Sequence, residues 1–142
     1  MEIREYTTYN ETESLKLYAS VGWTAYTEHP DVLRKGFENS MLTLAAYDGE
    51  QLMGIIRAVG DGYTIVFVQD ILVFPEHQRK GIGGYVLEMV IENIYHEFGI
   101  RPIALGVHKD NHEAARFYLK HGFRKTDVME GNDFYFLRYP ER

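Results

Sequence analysis

Residues 73–84 restrict the possible fold of this chain more than any other segment, because they join an apolar strand to a long amphipathic helix through a glycine-containing loop. The loop reads Gln78-x-x-Gly81-x-Gly83 and also carries two cationic side chains. Backbone N–H groups converge around such a loop, and the N-terminus of the following helix adds roughly half a unit of positive charge. The pattern therefore predicts a seat for an anionic group such as phosphate. The alternative is a tight strand-to-helix turn with no ligand.

The same loop excludes two familiar phosphate-binding motifs. A Walker loop places four residues between its glycines and continues with Lys and Ser or Thr, and a dinucleotide fingerprint requires Gly-x-Gly-x-x-Gly. Neither pattern is present in residues 73–84. The anion seat must therefore be interpreted together with other parts of the chain.

Composition limits the classes of protein that fit. The chain has 142 residues, 45% of them apolar, which suffices for a single domain over residues 1–142. A net charge of −6 argues against a nucleic-acid groove, and the lack of cysteine excludes thiol catalysis, disulfides and cysteine-based zinc sites. No apolar run approaches the roughly 18 residues of a membrane helix, and no secretory segment opens the sequence. We expect a cytoplasmic protein with neither a nucleic acid nor a membrane as its partner.

Hydrophobic periodicity predicts an α/β (α+β) order of elements. Asp110 and Glu113 stand at capping-box spacing before the last helix. A helix between two buried strands favours a right-handed parallel crossover. The predicted helices cover residues 11–21, 31–39, 83–98 and a segment opening at 110–113, with an aromatic linker at 22–30, and the predicted strands cover residues 3–6, 41–47, 51–59, 63–73, 102–107, 123–128 and 134–139.

Two segments together resemble successive motifs of the GNAT superfamily of N-acetyltransferases. The first is Leu72-Val73-x-Pro75 followed by Gln78-x-x-Gly81-Ile82-Gly83, and the second is Asn111-x-x-Ala114-Ala115-x-Phe117-Tyr118-x-x-x-Gly122-Phe123. The resemblance implies the GNAT acyl-CoA N-acyltransferase fold, a mixed, mostly antiparallel sheet of about seven strands flanked by about four helices. It also implies a splayed parallel strand pair, with strands ending near Val73 and Val107.

The resemblance further implies an enzyme, a transferase that uses acetyl-CoA. The acetyl group would pass to a primary amine of a small molecule or peptide by direct attack in a ternary complex. The residues that the resemblance assigns to the cofactor are Ile71, Leu72 and Val73 for the pantetheine arm and thioester carbonyl, Gln78, Arg79, Lys80, Gly81, Ile82, Gly83 and Gly84 for the pyrophosphate, Asn111 for the arm or for its own loop, and Tyr118 beside the sulfur.

Acetyl transfer needs a proton donor for sulfur and a proton acceptor for the amine. A thiol has a reference pKa of about 8.5, and Tyr118 is a suitable hydrogen-bond donor to the departing sulfur. Its alternative role is that of a core aromatic. An amine of pKa about 10.4 is mostly protonated at pH 7, so a base is required. Asp70, Glu28 and His108 are candidates, and Asp70 is equally a candidate structural carboxylate.

The aromatic linker supplies candidate residues for the acceptor. Trp23, Tyr26 and Glu28 combine aromatic faces with an acid, which suits a cationic amine. The alternative is a packed aromatic cluster that covers the core. The histidines have no spacing that demands a metal.

Two other functions remain open from the sequence. A non-catalytic acyl-CoA-binding sensor or interaction module would keep the loop without turnover, and a mononucleotide-binding domain would use the loop for another phosphate. The sequence leaves the acceptor amine, the base and the oligomeric state open, with a homodimer through C-terminal strands as one expectation.

Overall fold

A computed structural model of the chain describes residues 1–99, 103–108, 110–125 and 134–139. Its strands form one seven-stranded sheet in the order β1-β2-β3-β4-β5-β7-β6. Each neighbouring pair is antiparallel except β4 and β5, which run parallel. The strands are β1 Glu2–Glu5, β2 Leu42–Asp48, β3 Gln51–Gly60, β4 Val66–Val73, β5 Ile103–His108, β6 Arg124–Lys125 and β7 Phe134–Tyr139. The predicted mixed, mostly antiparallel sheet is confirmed.

The helices lie on both faces of this sheet. They are α1 Glu11–Ser20, α2 Thr24–Thr27, α3 Pro30–Glu38, α4 Ile82–Asn93 and α5 His112–Lys120, with a 3₁₀ turn at Pro75–His77. The short helix α2 was predicted as linker. It forms because the backbone N–H of Glu28 and the hydroxyl of Thr27 both donate to the carbonyl of Thr24, at 2.9 and 3.1 Å. No helix in the described part of the chain is long and apolar enough to cross a membrane.

Strand β4 begins three residues later than predicted, at Val66 instead of Tyr63. The carboxylate of Asp61 accepts hydrogen bonds from the backbone N–H groups of Tyr63, Thr64 and Ile65, at 2.9, 2.7 and 3.2 Å. These bonds hold the three donors in a turn instead of a sheet ladder. The predicted strand over residues 63–73 was therefore wrong in its first three residues.

The helical segment of α4 ends at Phe98 as predicted, but its last turn is not α-helical, and the cap of α5 also differs from the sequence pattern. Helix α4 continues as a π-helical turn over Ile94–Phe98, where Gly99, at φ 67°, donates to the carbonyl of Ile94 at 3.0 Å. Helix α5 is capped by Asn111, whose Oδ1 accepts from the N–H of Ala114 at 3.1 Å. The capping box predicted from Asp110 was therefore wrong, because Asn111 already occupies the capping position.

Two apolar layers stabilise the sheet, one on each face. Helices α1 and α3 cover one face, and α4 and α5 cover the other. The first layer includes Leu17, Tyr18, Leu33, Phe37, Ile55 and Leu72, and the second includes Ile56, Val68, Val86, Leu87, Val90, Ile94, Ile103 and Leu105.

A β-bulge in β4 decides which side chains face which layer. Arg57 of β3 pairs with Asp70, but Ala58 pairs with Val68, so Gln69 is an extra residue in β4. Val68 faces the α4 layer, whereas the side chains of Gln69 and Asp70 both reach toward α1 and α2. Without the bulge, strand alternation would send Asp70 to the same face as Val68.

Candidate active site

A cleft opens where β4 and β5 part. The parallel pairing consists of Val66 with Ile103 and Phe67 with Ala104, although β4 runs on to Val73 and β5 to His108. The space between the parted strands is a cleft of about 1550 Å³ that reaches from the aromatic segment before α3 to the N-termini of α4 and α5. The structure therefore contains the splayed parallel strand pair that the sequence resemblance implied.

Most residues singled out from the sequence line this cleft. They are Trp23, Tyr26, Asp70, Ile71, Val73, Gln78, Arg79, Gly81, Ile82, Gly83, Gly84, His108, Asn111 and Tyr118. Three others do not lie among the lining residues: Leu72, Lys80 and Glu28. Leu72 is 3% exposed and packs in the α1–α3 layer, because strand alternation turns it away from its neighbours Ile71 and Val73.

The glycine loop wraps around the N-terminus of α4 in an unusual backbone conformation. Gly81 caps the helix at φ 81°, in the left-handed region that glycine adopts without strain, and Arg79 adopts φ 62°. The side-chain amide of Gln78 donates to the carbonyl of Val73 at 3.0 Å and so braces the loop against the end of β4. A helix N-terminus beside such a loop fits an anionic group.

Of the two glycines in α4, Gly84 is the one that allows α5 to approach closely. A Cβ at Gly84 would lie 2.7 Å from Cε1 of His121, whereas a Cβ at Gly83 would meet Phe117 at an ordinary 3.6 Å. The imidazole Nδ1 of His121 lies 3.1 Å from Glu88 Oε1, and its ring packs on Phe117. Gly84 therefore serves helix packing at the mouth of the cleft.

Tyr118 lies on the inner side of α5, both packed and facing the cleft. It is 9% exposed, and its ring contacts those of Phe117 and Phe123, with centroids 5.2 and 5.7 Å away. Burial raises the pKa of the Tyr118 phenol, and the negative charge of Asp70 raises it further. The phenol thus keeps its proton at neutral pH and can act as a hydrogen-bond donor.

Asp70 is the most buried charged group of the cleft. It is 1% exposed, and its Oδ2 accepts from the hydroxyl of Tyr18 at 2.6 Å and from Nε and Nη2 of Arg57 at 2.9 and 2.8 Å. Its Oδ1 is also buried but has no hydrogen-bond partner among the described residues. One oxygen of the carboxylate is thus held by three donors, and the other remains available for a partner.

Tyr18 and Arg57 were missed from the sequence. Burial is the largest of the effects that raise the pKa of Tyr18, followed by the charge of Asp70. Burial alone would lower the pKa of Arg57, but the charges and hydrogen bonds of Asp70 and Tyr18 outweigh it, so the pKa of Arg57 rises. One signal could have found Arg57: a lone cation in an otherwise apolar strand needs a buried partner.

The other two candidate bases are less well placed. Nδ1 of His108 accepts the backbone N–H of Asp110 at 3.2 Å, so that nitrogen can take the proton of an amine only by losing this bond. Glu28 lies outside the residues that line the cleft. Of the three candidates, Asp70 is the one that presents an unpartnered oxygen beside the cleft.

Aromatic side chains line the cleft near Asp70. Tyr26 packs edge-on against Tyr18 with centroids 5.2 Å apart and lies 6.2 Å from Trp23. The amide of Gln69 donates to the hydroxyl of Tyr26 at 3.2 Å. Trp23 is 38% exposed, so the cluster packs on the core and also lines the cleft.

Comparison with known proteins identifies the family to which these features belong. Residues 5–123 match the profile of the acetyltransferase (GNAT) family. An N-alpha-acetyltransferase of Saccharolobus solfataricus is 33% identical over 64 residues, which are 45% of this chain and 38% of that protein. The chain spans less than half the length of the curated relatives it matches.

Solved structures match over nearly the whole chain. An acetyltransferase of the GNAT family from Streptococcus pneumoniae is 29% identical, with a TM-score of 0.73 over 92% of this chain and 97% of that one. A PaiA N-acetyltransferase from Thermoplasma acidophilum, solved in complex with coenzyme A, is 20% identical. Its TM-score is 0.77 over 99% of this chain and 100% of that one.

Proposed function

Because the chain belongs to the acetyltransferase (GNAT) family, we propose that it transfers an acetyl group from acetyl-CoA to a primary amine, by direct attack in a ternary complex. The observation that carries this proposal is the cleft between the parted strands β4 and β5, which runs from the glycine loop past Tyr118 to Asp70. The coenzyme A bound to the PaiA N-acetyltransferase of similar fold adds support.

The donor half of the cleft suits an elongated phosphorylated ligand. The backbone N–H groups around Gly81 and the N-terminus of α4 would hold the pyrophosphate, with Arg79 adding charge. After Phe67 in the chain, the edge of β4 no longer pairs with β5. Backbone groups near Ile71 and Val73 can therefore form hydrogen bonds with the amides of the pantetheine arm. Asn111, as the cap of α5, would fix the loop that closes this half of the cleft.

Tyr118 would act on the sulfur. When bound, acetyl-CoA supplies an acetyl thioester, whose thiol must leave as the new amide forms. The Tyr118 phenol, with its raised pKa, keeps its proton and donates a hydrogen bond to the departing sulfur. Its packing against Phe117 and Phe123 would hold the hydroxyl in one orientation.

Asp70 would act on the amine. An amine with a pKa of about 10.4 must lose a proton before it attacks at neutral pH. Oδ1 of Asp70 is a buried oxygen beside the cleft that has no hydrogen-bond partner in the described part of the chain, so we assign it to receive this proton, directly or through one water molecule. Arg57 and Tyr18 hold the other oxygen and so fix the direction in which Oδ1 points.

A thiol-release assay tests the proposal. The chain contains no cysteine, so a thiol-reactive dye reports only the free thiol of CoA. We expect release that depends on the added amine, with the acetylated amine found by mass spectrometry. CoA binding without release for any amine would contradict the proposal and favour a CoA-binding sensor module.

A pair of variants tests the role of Asp70. Asp70→Asn should lower the turnover number by roughly 10²-fold or more, since an amide cannot accept the proton. Asp48→Asn, at an exposed position at the end of β2, is the matched control and should not change turnover. Equal turnover in the two variants would remove Asp70 from the reaction.

A further inference from the structure

The part of the cleft beside Asp70 is walled by aromatic rings. Trp23, Tyr26 and Phe67 all line it, and the planes of Trp23 and Tyr26 are inclined by 33°. Aromatic groups prefer offset-stacked and edge-to-face contacts, so rings that line the cleft suit a flat aromatic ligand. Beside these rings the amide of Gln69 donates a 3.2 Å hydrogen bond to the hydroxyl of Tyr26, and both groups are neutral.

Few acids line the cleft in the described part of the chain. Among the described residues that line the whole cleft, the acids are Asp70, Glu88 and Glu113. Glu88 lies on α4 and Glu113 in the first turn of α5, both on the donor face of the sheet. Among the described residues, Asp70 is therefore the acid that lines the acceptor end, and its charge is paired with Arg57 at 2.8 Å.

These two observations point to one class of acceptor. We propose, on the basis of the acetyl transfer inferred above, that the acceptor is a primary amine with one positive charge on an aromatic body, an arylalkylamine. The ring would pack on Trp23 and Tyr26, and the amine would reach Asp70 Oδ1. An oligocation such as a polyamine or aminoglycoside would find, among the described residues of the acceptor end, one carboxylate for several ammonium groups and would lose hydration on the rest.

The reaction then balances without a further reagent. The ammonium group of the amine gives one proton to Asp70 or to its water, and the neutral nitrogen then forms a bond to the acetyl carbon. The carbon–sulfur bond breaks, the sulfur leaves with its electron pair, and it becomes the thiol of CoA by taking up the second proton, which the nitrogen loses as the amide forms. The products are the N-acetylated arylalkylamine, CoA and one released proton.

A panel of amines tests the class. We would compare kcat/KM for 2-phenylethylamine, spermidine and kanamycin by thiol release. The two ring contacts predict that 2-phenylethylamine is preferred by roughly ten-fold or more. Faster turnover of spermidine or kanamycin would overturn this inference and leave acetyl transfer standing. Failure of every amine in the panel, with CoA still bound, would overturn both.

Variants test the ring contacts themselves. Trp23→Leu and Tyr26→Leu should each raise KM for 2-phenylethylamine by about 3- to 10-fold, and Trp23→Phe should restore most of the loss at that position. Tyr63→Leu removes an aromatic ring that is 84% exposed and lies outside the cleft, so it is the matched control and should leave KM unchanged. An unchanged KM in both leucine variants of the cleft would overturn the inference.

Discussion

The hydroxyl of Tyr18 donates a 2.6 Å hydrogen bond to Asp70 Oδ2, which joins helix α1 to strand β4 across 52 positions of the chain. Arg57 of β3 donates to the same oxygen from its Nε and Nη2. The three side chains thus tie one layer of helices to two strands at the acceptor end of the cleft. These bonds hold the Asp70 carboxylate rigidly. The carboxylate therefore has a structural role as well as the catalytic role proposed above.

Removal of Arg57 should destabilise the protein strongly. Arg57→Leu leaves the 1%-exposed carboxylate of Asp70 without its cation, and loss of one partner from a buried pair costs about 3–5 kcal/mol. The free energy of unfolding from urea titration measures this loss. Arg34→Leu, which removes the exposed contacts with Asp31 and Glu38, should cost less than about 1 kcal/mol. Equal losses in the two variants would contradict the account.

Stability should fall at alkaline pH. The pKa of Tyr6 is raised to about 12, chiefly by burial, and the pKa values of Tyr18 and Tyr118 are also raised. An unfolded tyrosine titrates near pH 10, so above that pH the unfolded chain binds fewer protons than the folded one. The stability from these groups is therefore fully present below about pH 10 and is lost as pH rises through the folded pKa values.

Urea titrations between about pH 8 and 11 measure this alkaline slope. Tyr18→Phe removes one of the three groups, so its free energy of unfolding should fall less steeply above about pH 10. Tyr63→Phe removes an exposed tyrosine and should keep the slope of the parent protein. A slope in Tyr18→Phe as steep as that of the parent would show that Tyr18 is not buried as described.

The two adjacent glycines of α4 should respond differently to alanine. At Gly84 the new Cβ would lie 2.7 Å from the imidazole of His121 and displace it from Glu88, so Gly84→Ala should destabilise the protein. At Gly83 the new Cβ would meet Phe117 at an ordinary 3.6 Å, so Gly83→Ala should not destabilise the protein. Within a helix, alanine is more stable than glycine by about 0.5–1 kcal/mol.

The free energies of unfolding of the two variants test this difference. Gly84→Ala combined with His121→Ala should recover part of the loss, because the clash is with that ring. A loss at Gly83 as large as that at Gly84, with no recovery in the double variant, would contradict the packing of α4 on α5.

Local patterns gave most of the fold and the donor half of the cleft. The spacing of Gly81 and Gly83 and the segment from Asn111 to Tyr118 lie within single turns and helices, where sequence order determines geometry. The early start predicted for β4 failed because the bonds of the Asp61 carboxylate compete with strand pairing. Sequence alone cannot weigh that competition.

The acceptor half depends on contacts between distant residues. The bulge at Gln69 is visible only when β4 is aligned with β3, and it decides that Asp70 faces α1. The sequence grouped Glu28 with Trp23 and Tyr26 because they are neighbours in the chain, but the fold brings only the two aromatic residues to the cleft. Arg57 was missed because its partner lies on another strand.

We propose that the thioester of acetyl-CoA lies between β4 and β5 with its sulfur beside the Tyr118 phenol. The most direct test is to measure single-turnover acetyl transfer and CoA affinity for Tyr118→Phe, with Tyr63→Phe as the control. The account predicts that transfer slows by roughly 10²-fold in Tyr118→Phe while CoA affinity is unchanged, since the phenol matters as the sulfur departs. Transfer at the parent rate in that variant would contradict it.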